Sequence, residues 1–370
     1  MNKLKKIIIF YPNSERGGVI NNLINISNYL SMYYEIHLIT DKKNNKKFKF
    51  NKNIKFIQFE RLNRVFNIFY KFFSTIKAVC TLYFNLRKNN KENTVVFSVQ
   101  SHILAIIVCK ILNFRIIIRN SEDISASVLY ADNYFKALII FILKFFTYNF
   151  STKIITNSKR SLDSLKKIIF LKKKIILIYN PYLKKNYKKN IISKRKNIIL
   201  NIGRFCKQKN QMQLIDAFDA FKSQYSNFKL FLVGDGYQKR NILEYIKSRK
   251  LQKKVVLKKW SENLKQYYLE SKFFVLSSLY EGLPNVLIDS INYKLPVVST
   301  KVSGAEDILM GNKGGYLAEV NNKNSLLLNM IACQKNYKNS IKKTLYAKKF
   351  LNRFLLEKQN KEYLKLIKNI

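Results

Sequence analysis

One segment of the sequence combines a glycine turn with acidic side chains at the start of a predicted helix. It runs from Ser277 to Asp289, and Gly282 and Pro284 stand at the turn. The first turn of a helix leaves backbone N–H groups without partners, and these groups bind anions such as phosphate. Pro284 suits this turn because it has no N–H to satisfy. Glu281 precedes the turn and Asp289 lies inside the helix, so the two carboxylates could bind different ends of one ligand.

A second segment places basic side chains after a glycine. Gly203 and Arg204 follow a predicted strand over residues 197–202, and Lys209 comes shortly after them. The guanidinium of Arg204 is a planar fork and the ammonium of Lys209 is a point charge, so together they could neutralise a diphosphate without a metal ion. A single basic residue is most often solvated surface. The position after a strand and a glycine favours ligand binding here.

Glycine is scarce in this sequence, and most glycines follow predicted strands. Only 10 of the 370 residues are glycine, whereas an average protein has about 7%. Gly17 and Gly18 follow the first strand, Gly203 follows the first strand of the second half, and Gly234 and Gly236 follow the next one. Loops at the carboxyl ends of parallel strands form the ligand crevice of open α/β sheets. The glycines therefore predict a ligand-facing rim in each half of the chain.

The elements that carry these residues are short β-branched runs alternating with amphipathic stretches of helical length. This alternation is typical of parallel sheets with crossover helices, so the predicted fold class is α/β. Helices are predicted over residues 19–32 and 61–87, among others. Strands are predicted over residues 6–11, 35–40, 55–59, 94–99, 114–118, 153–156 and 174–178 in the first half, and 197–202, 229–233, 255–258, 273–276, 296–299 and 315–318 in the second.

A polar segment rich in lysine and asparagine divides the chain into two parts. Residues 183–196 have little to bury and follow Asn180-Pro181, so they predict a linker. The division gives an N-terminal domain over residues 1–182, a C-terminal domain over residues 197–343 and a final helix over residues 344–370. A chain of 370 residues is long enough to bury two cores.

The composition is that of a folded and strongly cationic protein. Lys and Arg number 69 against 22 for Asp and Glu, which gives a formal net charge of +47, and 47% of the residues are hydrophobic. This apolar content excludes a disordered basic tail. Asn, Lys and Ile are abundant throughout, as AT-rich codons would give, so part of the charge is compositional. The remainder favours anionic membranes, nucleic acid or polyphosphate ligands as partners.

Cysteine usage and hydropathy narrow the class of protein. The four cysteines are widely spaced and form no CxxC pair, which argues against a structural zinc site or a disulfide framework. No run reaches the roughly 18 apolar residues that span a bilayer, and the apolar run near the N-terminus is too short for a signal peptide. We therefore expect a cytoplasmic protein, either soluble or attached peripherally to a membrane.

Several motifs occur in the order found in one enzyme family. They are Gly203-Arg204-Phe205 with Lys209-Asn210, Leu232-Val233-Gly234-Asp235-Gly236, Ser278-Leu279-Tyr280-Glu281-Gly282-Leu283-Pro284-Asn285, Leu295-Pro296-Val297-Val298-Ser299-Thr300 and Ser303-Gly304-Ala305-Glu306. The set resembles the retaining family 4 glycosyltransferases across about residues 197–320. The segment Arg16-Gly17-Gly18 resembles the donor-phosphate loop near the N-terminus of that family. The resemblance implies a GT-B fold, in which two Rossmann-like domains face each other across a cleft and a C-terminal helix returns to the first domain.

The resemblance also assigns roles in binding a nucleotide-sugar donor. It implies that Arg204 and Lys209 bind the diphosphate and that Glu281 contacts the transferred sugar near its reacting carbon. The family's second acid, which binds the ribose, is here the shorter Asp289. Lys294 stands where the family usually has glycine. The remaining implied donor contacts are Gly17, Gly18, Gly203, Gly282, Leu283, Pro284 and Asn285.

The N-terminal contribution to the site is the part that the resemblance defines least. The family often places a histidine after a strand in the middle of this domain, but the corresponding residues here are Arg119-Asn120-Ser121-Glu122. We take Arg119, Asn120 and Glu122 as candidate contacts to the sugar or the acceptor. His102 follows the strand over residues 94–99 and is a further candidate to line the cleft.

The implied activity is retaining transfer of a sugar from a nucleotide donor, commonly a UDP-sugar, to a saccharide acceptor. No acidic pair has the DxD spacing of metal-dependent transferases, so we expect a metal-independent enzyme with no cofactor besides its donor substrate. The N-terminal domain would bind the acceptor and the C-terminal domain the donor. Assembly of a surface polysaccharide, such as a capsule or lipopolysaccharide, is the setting that the family suggests.

Two segments predict contact with an anionic membrane surface. Residues 61–87 and, less clearly, residues 131–150 interleave aromatic side chains with lysine or arginine, a composition that suits the membrane interface. Aromatic residues at helical spacing are also common in ordinary cores. Together with the net charge, these segments favour a peripheral enzyme on the inner face of the membrane, with an acceptor linked to polyprenyl diphosphate.

Three other functions are alternatives to the transferase. A dinucleotide-dependent oxidoreductase could use Gly234 and Gly236, but Lys239 stands at the third glycine position of its fingerprint. A non-hydrolysing sugar-nucleotide epimerase would share the GT-B fold. A nucleic-acid-binding protein would use the charge, but the sequence has no zinc module or RNP-like motif, so no nucleic acid is expected as partner.

Overall fold

The computed structural model describes residues 4–12, 18–41, 49–60, 70–184, 195–261 and 263–370. Within these residues the chain forms one sheet of seven strands and one of six, and every strand pair is parallel. Helices lie between the strands in both parts. The predicted α/β class and the two Rossmann-like domains are therefore confirmed.

The strands of the first domain are β1 Lys6–Phe10, β2 Glu35–Asp41, β3 Lys55–Phe59, β4 Thr94–Ser98, β5 Arg115–Asn120, β6 Lys153–Thr156 and β7 Ile175–Leu177. They form a sheet whose order is β3-β2-β1-β4-β5-β6-β7. The central strands β1, β4 and β5 are almost fully buried, as parallel strands covered by helices on both faces must be, whereas the edge strand β3 is partly exposed. The helices are α1 Gly18–Leu30, α2 Tyr70–Arg87, α3 His102–Ile111, α4 Ile124–Leu129, α5 Tyr134–Tyr148 and α6 Lys159–Lys166.

The strands of the second domain are β8 Ile198–Ile202, β9 Lys229–Val233, β10 Val255–Lys258, β11 Phe273–Leu276, β12 Val297–Thr300 and β13 Tyr316–Ala318. They repeat this plan in a sheet ordered β10-β9-β8-β11-β12-β13. Its helices are α7 Gln211–Phe221, α8 Lys239–Ser248, α9 Lys265–Glu270, α10 Asn285–Asn292, α11 Ala305–Leu309, α12 Lys323–Lys335 and α13 Tyr337–Lys348, and the last helix of the chain is α14 Leu356–Lys368.

Strand order reverses at one point in each sheet, and those two points face each other. The reversals lie between β1 and β4 and between β8 and β11, where open α/β sheets bind their ligands. A Cβ atom added to Gly18, at the start of α1, would lie 3.6 Å from Nδ2 of Asn285 at the start of α10. The fold therefore brings the ligand-binding edges of both sheets to one cleft.

The C-terminal segment differs from the single helix predicted over residues 344–370. Helix α13 ends at Lys348, a 3-10 turn spans Leu351–Phe354, and α14 follows. Leu351 and Phe354 are buried in the core of the second domain, so the chain leaves that core only after residue 354. Helix α14 then packs its apolar side, including Tyr363 and Ile367, against the first sheet.

The chain crosses between the domains twice, and the two crossings lie side by side. Leu183 donates its N–H to the carbonyl of Phe354 at 3.0 Å, and Leu356 donates to the carbonyl of Leu183 at 2.8 Å. Most of the predicted linker, residues 185–194, lies outside the described residues.

No helix in the described part of the chain is long and apolar enough to cross a membrane.

Candidate active site

The glycine turn before α10 and the basic loop after β8 are joined by hydrogen bonds. The Leu279 N–H donates to the carbonyl of Gln208 at 2.8 Å, and the Gln208 amide donates to the carbonyl of Tyr280 at 2.9 Å. The hydroxyl of Ser277 donates to the carbonyl of Lys209 at 2.8 Å. The two segments that the sequence predicted to share one ligand therefore form a single wall of the cleft.

Lys209 and Glu281 form an ion pair at the centre of this wall. The ammonium of Lys209 donates to Oε1 of Glu281, and the Ser278 hydroxyl donates to the same oxygen at 2.7 Å. Both charged side chains are largely buried, so each removes much of the cost of taking the other out of water. The pair fixes the position of one cation and one carboxylate at the mouth of α10.

Arg204 lies in the same loop as Lys209, and its side chain is exposed. Among the residues that the structure describes, no carboxylate is within ion-pair distance of its guanidinium. A free fork of N–H donors is available to an anionic ligand such as a diphosphate. Gly203, directly before it, approaches the stem of Lys209: an added Cβ would lie 3.4 Å from Cε.

The start of α10 meets the first domain at Gly282. A Cβ atom at this position would lie 1.9 Å from the carbonyl oxygen of Ser121 and 3.0 Å from the amide of Asn157. Only glycine allows this approach, since any side chain would push the domains apart. Leu283 and Pro284 are buried beside it and Asn285 is partly buried, so α10 presents the start of its backbone to the cleft. Gly17 lies outside the described residues.

The conformation of Lys294 explains why the family pattern has glycine at this position, before its Leu-Pro motif. Its φ angle is 58°, in the left-handed region, just after the C-terminus of α10. Glycine takes this conformation without strain, whereas another residue pays about 1 kcal/mol. The lysine keeps the turn and bears that cost.

The carboxylate of Asp289 accepts a hydrogen bond from a neighbouring side chain. The phenol of Tyr182, from the first interdomain crossing, donates to Oδ2 of Asp289 at 2.5 Å. Burial raises the pKa of Asp289 to about 6, although the hydrogen bond from Tyr182 acts in the opposite direction. The carboxylate implied to bind ribose therefore already accepts a hydrogen bond from Tyr182 at one of its oxygens.

Arg119 does not face the cleft as a sugar or acceptor contact, which corrects the sequence-based hypothesis. Its side chain is 1% exposed, and its fork donates to the Tyr363 hydroxyl at 3.0 Å, the Ser121 hydroxyl at 2.6 Å and Oδ1 of Asn180 at 2.5 Å. Asn180 in turn donates to Oδ1 of Asn285 at 3.1 Å. A chain of hydrogen bonds thus runs from α14 through β5 to the first residue of α10.

The other N-terminal candidates also bond to protein groups. Nδ1 of His102 lies 2.9 Å from the Ser98 hydroxyl, and burial lowers the pKa of His102 to about 3, so the ring is neutral. Asn120 is buried and donates to the carbonyl of Glu122 at 2.6 Å. The Glu122 carboxylate, which is partly exposed, pairs with Lys144 of α5 at 2.6 Å. Of these candidates, Glu122 keeps a polar group at the surface.

Three residues of this site were not identified from the sequence. Asn180 was interpreted only as the start of the linker, and Tyr182 and Tyr363 had no assigned role. Each is brought to the site by a chain crossing or by the return of α14 to the first domain. Such long-range contacts leave no local signal in the sequence.

The fold and the cleft define a two-domain protein of the GT-B class. The structure of Anabaena HepE in complex with UDP-glucose superposes with a TM-score of 0.77 at 16% identity and covers 99% of this chain and 100% of that one. Residues 184–350 match the family described as Glycosyl transferases group 1. This part of the chain is therefore similar to members of that glycosyltransferase family.

Two relatives from Campylobacter jejuni are named as transferases that act on undecaprenol diphosphate saccharides. One is N-acetylgalactosamine-N,N'-diacetylbacillosaminyl-diphospho-undecaprenol 4-alpha-N-acetylgalactosaminyltransferase, 32% identical over 60% of this chain and 63% of that protein. That match spans less than two thirds of the relative. The other is GalNAc-alpha-(1->4)-GalNAc-alpha-(1->3)-diNAcBac-PP-undecaprenol alpha-1,4-N-acetyl-D-galactosaminyltransferase, 25% identical over 99% of both chains.

We expect Asp289→Asn to stabilise the protein at neutral pH but not at acidic pH. The folded-state pKa of about 6 lies above the value of about 4 in an unfolded chain, so the ionised carboxylate costs the native state free energy as pH rises between these values. We compare the unfolding free energy of Asp289→Asn with that of the wild type by urea denaturation. The difference in favour of the variant should be about 2 to 3 kcal/mol larger at pH about 7 than at pH about 4. Asp163→Asn, at an exposed site, is the control, and an Asp289→Asn gain independent of pH would contradict the assignment.

We expect Tyr363→Phe to destabilise the protein because it leaves a buried Arg119 N–H without an acceptor. An unsatisfied buried donor costs about 1 to 3 kcal/mol, measurable as a lower urea midpoint. Tyr134→Phe removes a phenol that is mostly exposed and serves as the matched control. Equal midpoints for the two variants would show that the Arg119 network does not depend on α14.

Proposed function

We propose that the chain is a retaining glycosyltransferase that moves a sugar from a UDP-sugar to a saccharide acceptor carried on a lipid diphosphate. The observation that carries this proposal is the meeting of Lys209 with Glu281 at the start of α10. A cation, a carboxylate and the free N–H groups of a helix start converge there beside the exposed Arg204. This is the set of groups that a diphosphate with an attached sugar requires.

The diphosphate is the leaving group of the proposed reaction, and its negative charge grows as the bond from the anomeric carbon breaks. Arg204, Lys209 and the N–H groups of α10 stabilise that charge in a cleft where water is restricted. The new bond forms between the anomeric carbon and an acceptor hydroxyl oxygen. The hydroxyl proton passes to the departing phosphate oxygen, and Glu281 holds Lys209 and contacts the sugar.

The donor and acceptor classes are supported by the named relatives. Both Campylobacter proteins are named for transfer of N-acetylgalactosamine to undecaprenol diphosphate saccharides, and HepE binds UDP-glucose. A UDP-N-acetylhexosamine or a UDP-hexose is therefore the donor to test first. Nucleotide release across a panel of sugar nucleotides, with and without membrane extract as acceptor, tests the proposal. Donor conversion to an epimer without acceptor-dependent release would indicate an epimerase instead.

A lipid-linked acceptor requires the enzyme to work at a membrane surface. The net charge of +47 attracts the protein to anionic lipids, and the attraction falls within a Debye length of the surface. We propose a peripheral position on the cytoplasmic face of the membrane, in assembly of a surface polysaccharide.

We expect Arg204→Ala to lower the rate of nucleotide release from the preferred donor by at least about a hundredfold, because the leaving diphosphate loses a bidentate cation. Glu281→Gln should be similarly impaired. Arg240→Ala, at an exposed position on α8 that pairs only with Glu244 among the described residues, should retain the wild-type rate. Full activity in Arg204→Ala would remove this residue from the site.

We expect nucleotide release to continue in the presence of EDTA. In this proposal Arg204, Lys209 and the start of α10 balance the charge of the leaving group. Removal of divalent cations should therefore not slow nucleotide release. The rate should stay within about twofold of the untreated enzyme, which is far less than the loss of a charge-stabilising group. Complete inhibition that added Mg²⁺ reverses would establish a metal-dependent mechanism.

A further inference from the structure

Helix α5 is almost wholly apolar, yet little of it is buried. Its sequence is YFKALIIFILKFFTY, and Tyr148 is the one residue of the helix that is fully buried. Phe135 is 78% exposed, Ile139 is 59% exposed and Phe146 is 62% exposed. A helix on the surface of a water-soluble domain normally turns a polar face outward. The outward face of α5 is therefore unlike that of an ordinary surface helix.

The exposed apolar surface continues beyond α5 onto its neighbours. Helix α3 packs beside α5 and exposes Ile111, and the ring of Phe170 lies 5.7 Å from that of Phe145 on α5. We call the exposed side chains of Phe135, Ile139, Phe146, Ile111 and Phe170 the α5 face. Contiguous apolar patches of this kind mark a protein interface or a membrane contact.

Lysines border the α5 face along its edges. Lys110 lies next to Ile111 and holds its ammonium 5.5 Å from the centre of the Phe150 ring. Lys136 follows Phe135, and Lys172 and Lys173 follow the loop that carries Phe170; all four lysines are exposed. An apolar surface edged by ammonium groups matches the acyl chains and the anionic headgroups of a lipid layer.

We propose that the α5 face inserts into the outer part of an anionic membrane, with α5 parallel to the surface and its bordering lysines at the headgroups. Fifteen residues make a helix of about 22 Å, which suits a helix that lies along the surface. The proposal rests on the lipid-linked acceptor proposed above, and it identifies the face that contacts the lipid.

A second copy of the chain is a poorer occupant of this surface. In a two-fold dimer the same patch meets itself, so the lysines that edge one copy would approach those of the other. Like charges brought together at an interface cost free energy, whereas anionic headgroups neutralise them. The charge pattern therefore favours lipid over self-association.

The α5 face also stands beside the cleft. Asp132, just before α5, pairs with Lys207 of the second domain at 3.3 Å. Lys144, within α5, pairs with Glu122 in the loop after β5 at 2.6 Å. A membrane held against α5 would thus lie close to the cleft mouth, where a saccharide on a lipid diphosphate could enter without leaving its bilayer.

Flotation with vesicles tests the proposal. The full-length chain is mixed with vesicles of equimolar phosphatidylglycerol and phosphatidylcholine, and a triple variant carries Phe135→Ser, Ile139→Ser and Phe146→Ser. We expect the triple variant to bind at least about tenfold more weakly, because three inserted side chains are lost. The matched control, Met32→Ser with Leu328→Ser, removes side chains that are 62% and 65% exposed elsewhere and should bind like the wild type.

A fluorescence measurement separates insertion from surface attraction. In a Trp260→Phe background, which removes the one tryptophan of the chain, Phe146→Trp should be quenched by lipids brominated on their acyl chains. Absence of quenching, equal binding of the triple variant and the wild type, or no binding of the wild type would overturn the proposal. A wild-type dimer that the triple variant converts to monomer would also overturn it.

Nucleotide release from the preferred donor, measured without vesicles, keeps the two proposals distinguishable. The triple variant should keep the wild-type rate in this assay, because the α5 face lies outside the donor site. Donor turnover with unchanged vesicle binding in the triple variant defeats only the membrane proposal. Absence of donor turnover in the wild type, even when detergent-solubilised membrane extract supplies the acceptor, defeats the transferase proposal itself.

Discussion

The ion pair between Lys209 and Glu281 is the interaction on which the candidate site depends. Two charges are withdrawn from water together, so neither can leave without exposing the other to an uncompensated environment. Their union fixes the loop after β8 against the turn before α10, and the backbone bonds of Gln208 reinforce it. The wall of the cleft is thereby set before any ligand binds, which reduces the ordering cost of binding.

A second constraint comes from the first domain, where a buried guanidinium is held by neutral acceptors. Arg119 bonds to Tyr363, Ser121 and Asn180, and within the described part of the chain it has no carboxylate partner. The C-terminal helix, the first sheet and the start of α10 are therefore parts of one polar network. Through Tyr363, helix α14 thus contributes to a site whose other residues lie much earlier in the chain.

The fold was largely predictable because its signals are local. All the predicted strands are present, and their ends differ from the prediction by at most two residues, as for β5, which begins at Arg115 and extends to Asn120. The pairing of the basic loop with the glycine turn was also predictable, since both follow strands at one edge of a parallel sheet. The turn at Leu351–Phe354 was not, because the burial of Leu351 depends on the distant core of the second domain.

The residues whose contacts could not be predicted from the sequence are those whose surroundings are set by distant parts of the chain. Arg119 has the charge and the position after a strand that are expected of a ligand-binding residue. Only the structure shows that one of its N–H groups donates to Tyr363 of α14. Asp289 has the position of a ribose ligand, and only the first interdomain crossing shows that Tyr182 reaches it. A motif fixes which residues follow a strand but does not fix what arrives from elsewhere.

The two crossings between the domains, at Leu183 and Leu355, lie side by side and form one narrow connection. Backbone bonds unite the two segments, so a rotation that pivots there disturbs no sheet. The same rotation would have to part Ser158 from Ser303, which lie 2.7 Å apart across the cleft, and to lift Gly282 away from Ser121. Opening of the cleft about the paired crossings would also have to break other interdomain bonds, such as those from the Lys159 N–H to Asp307 and from Arg160 to the Lys301 carbonyl.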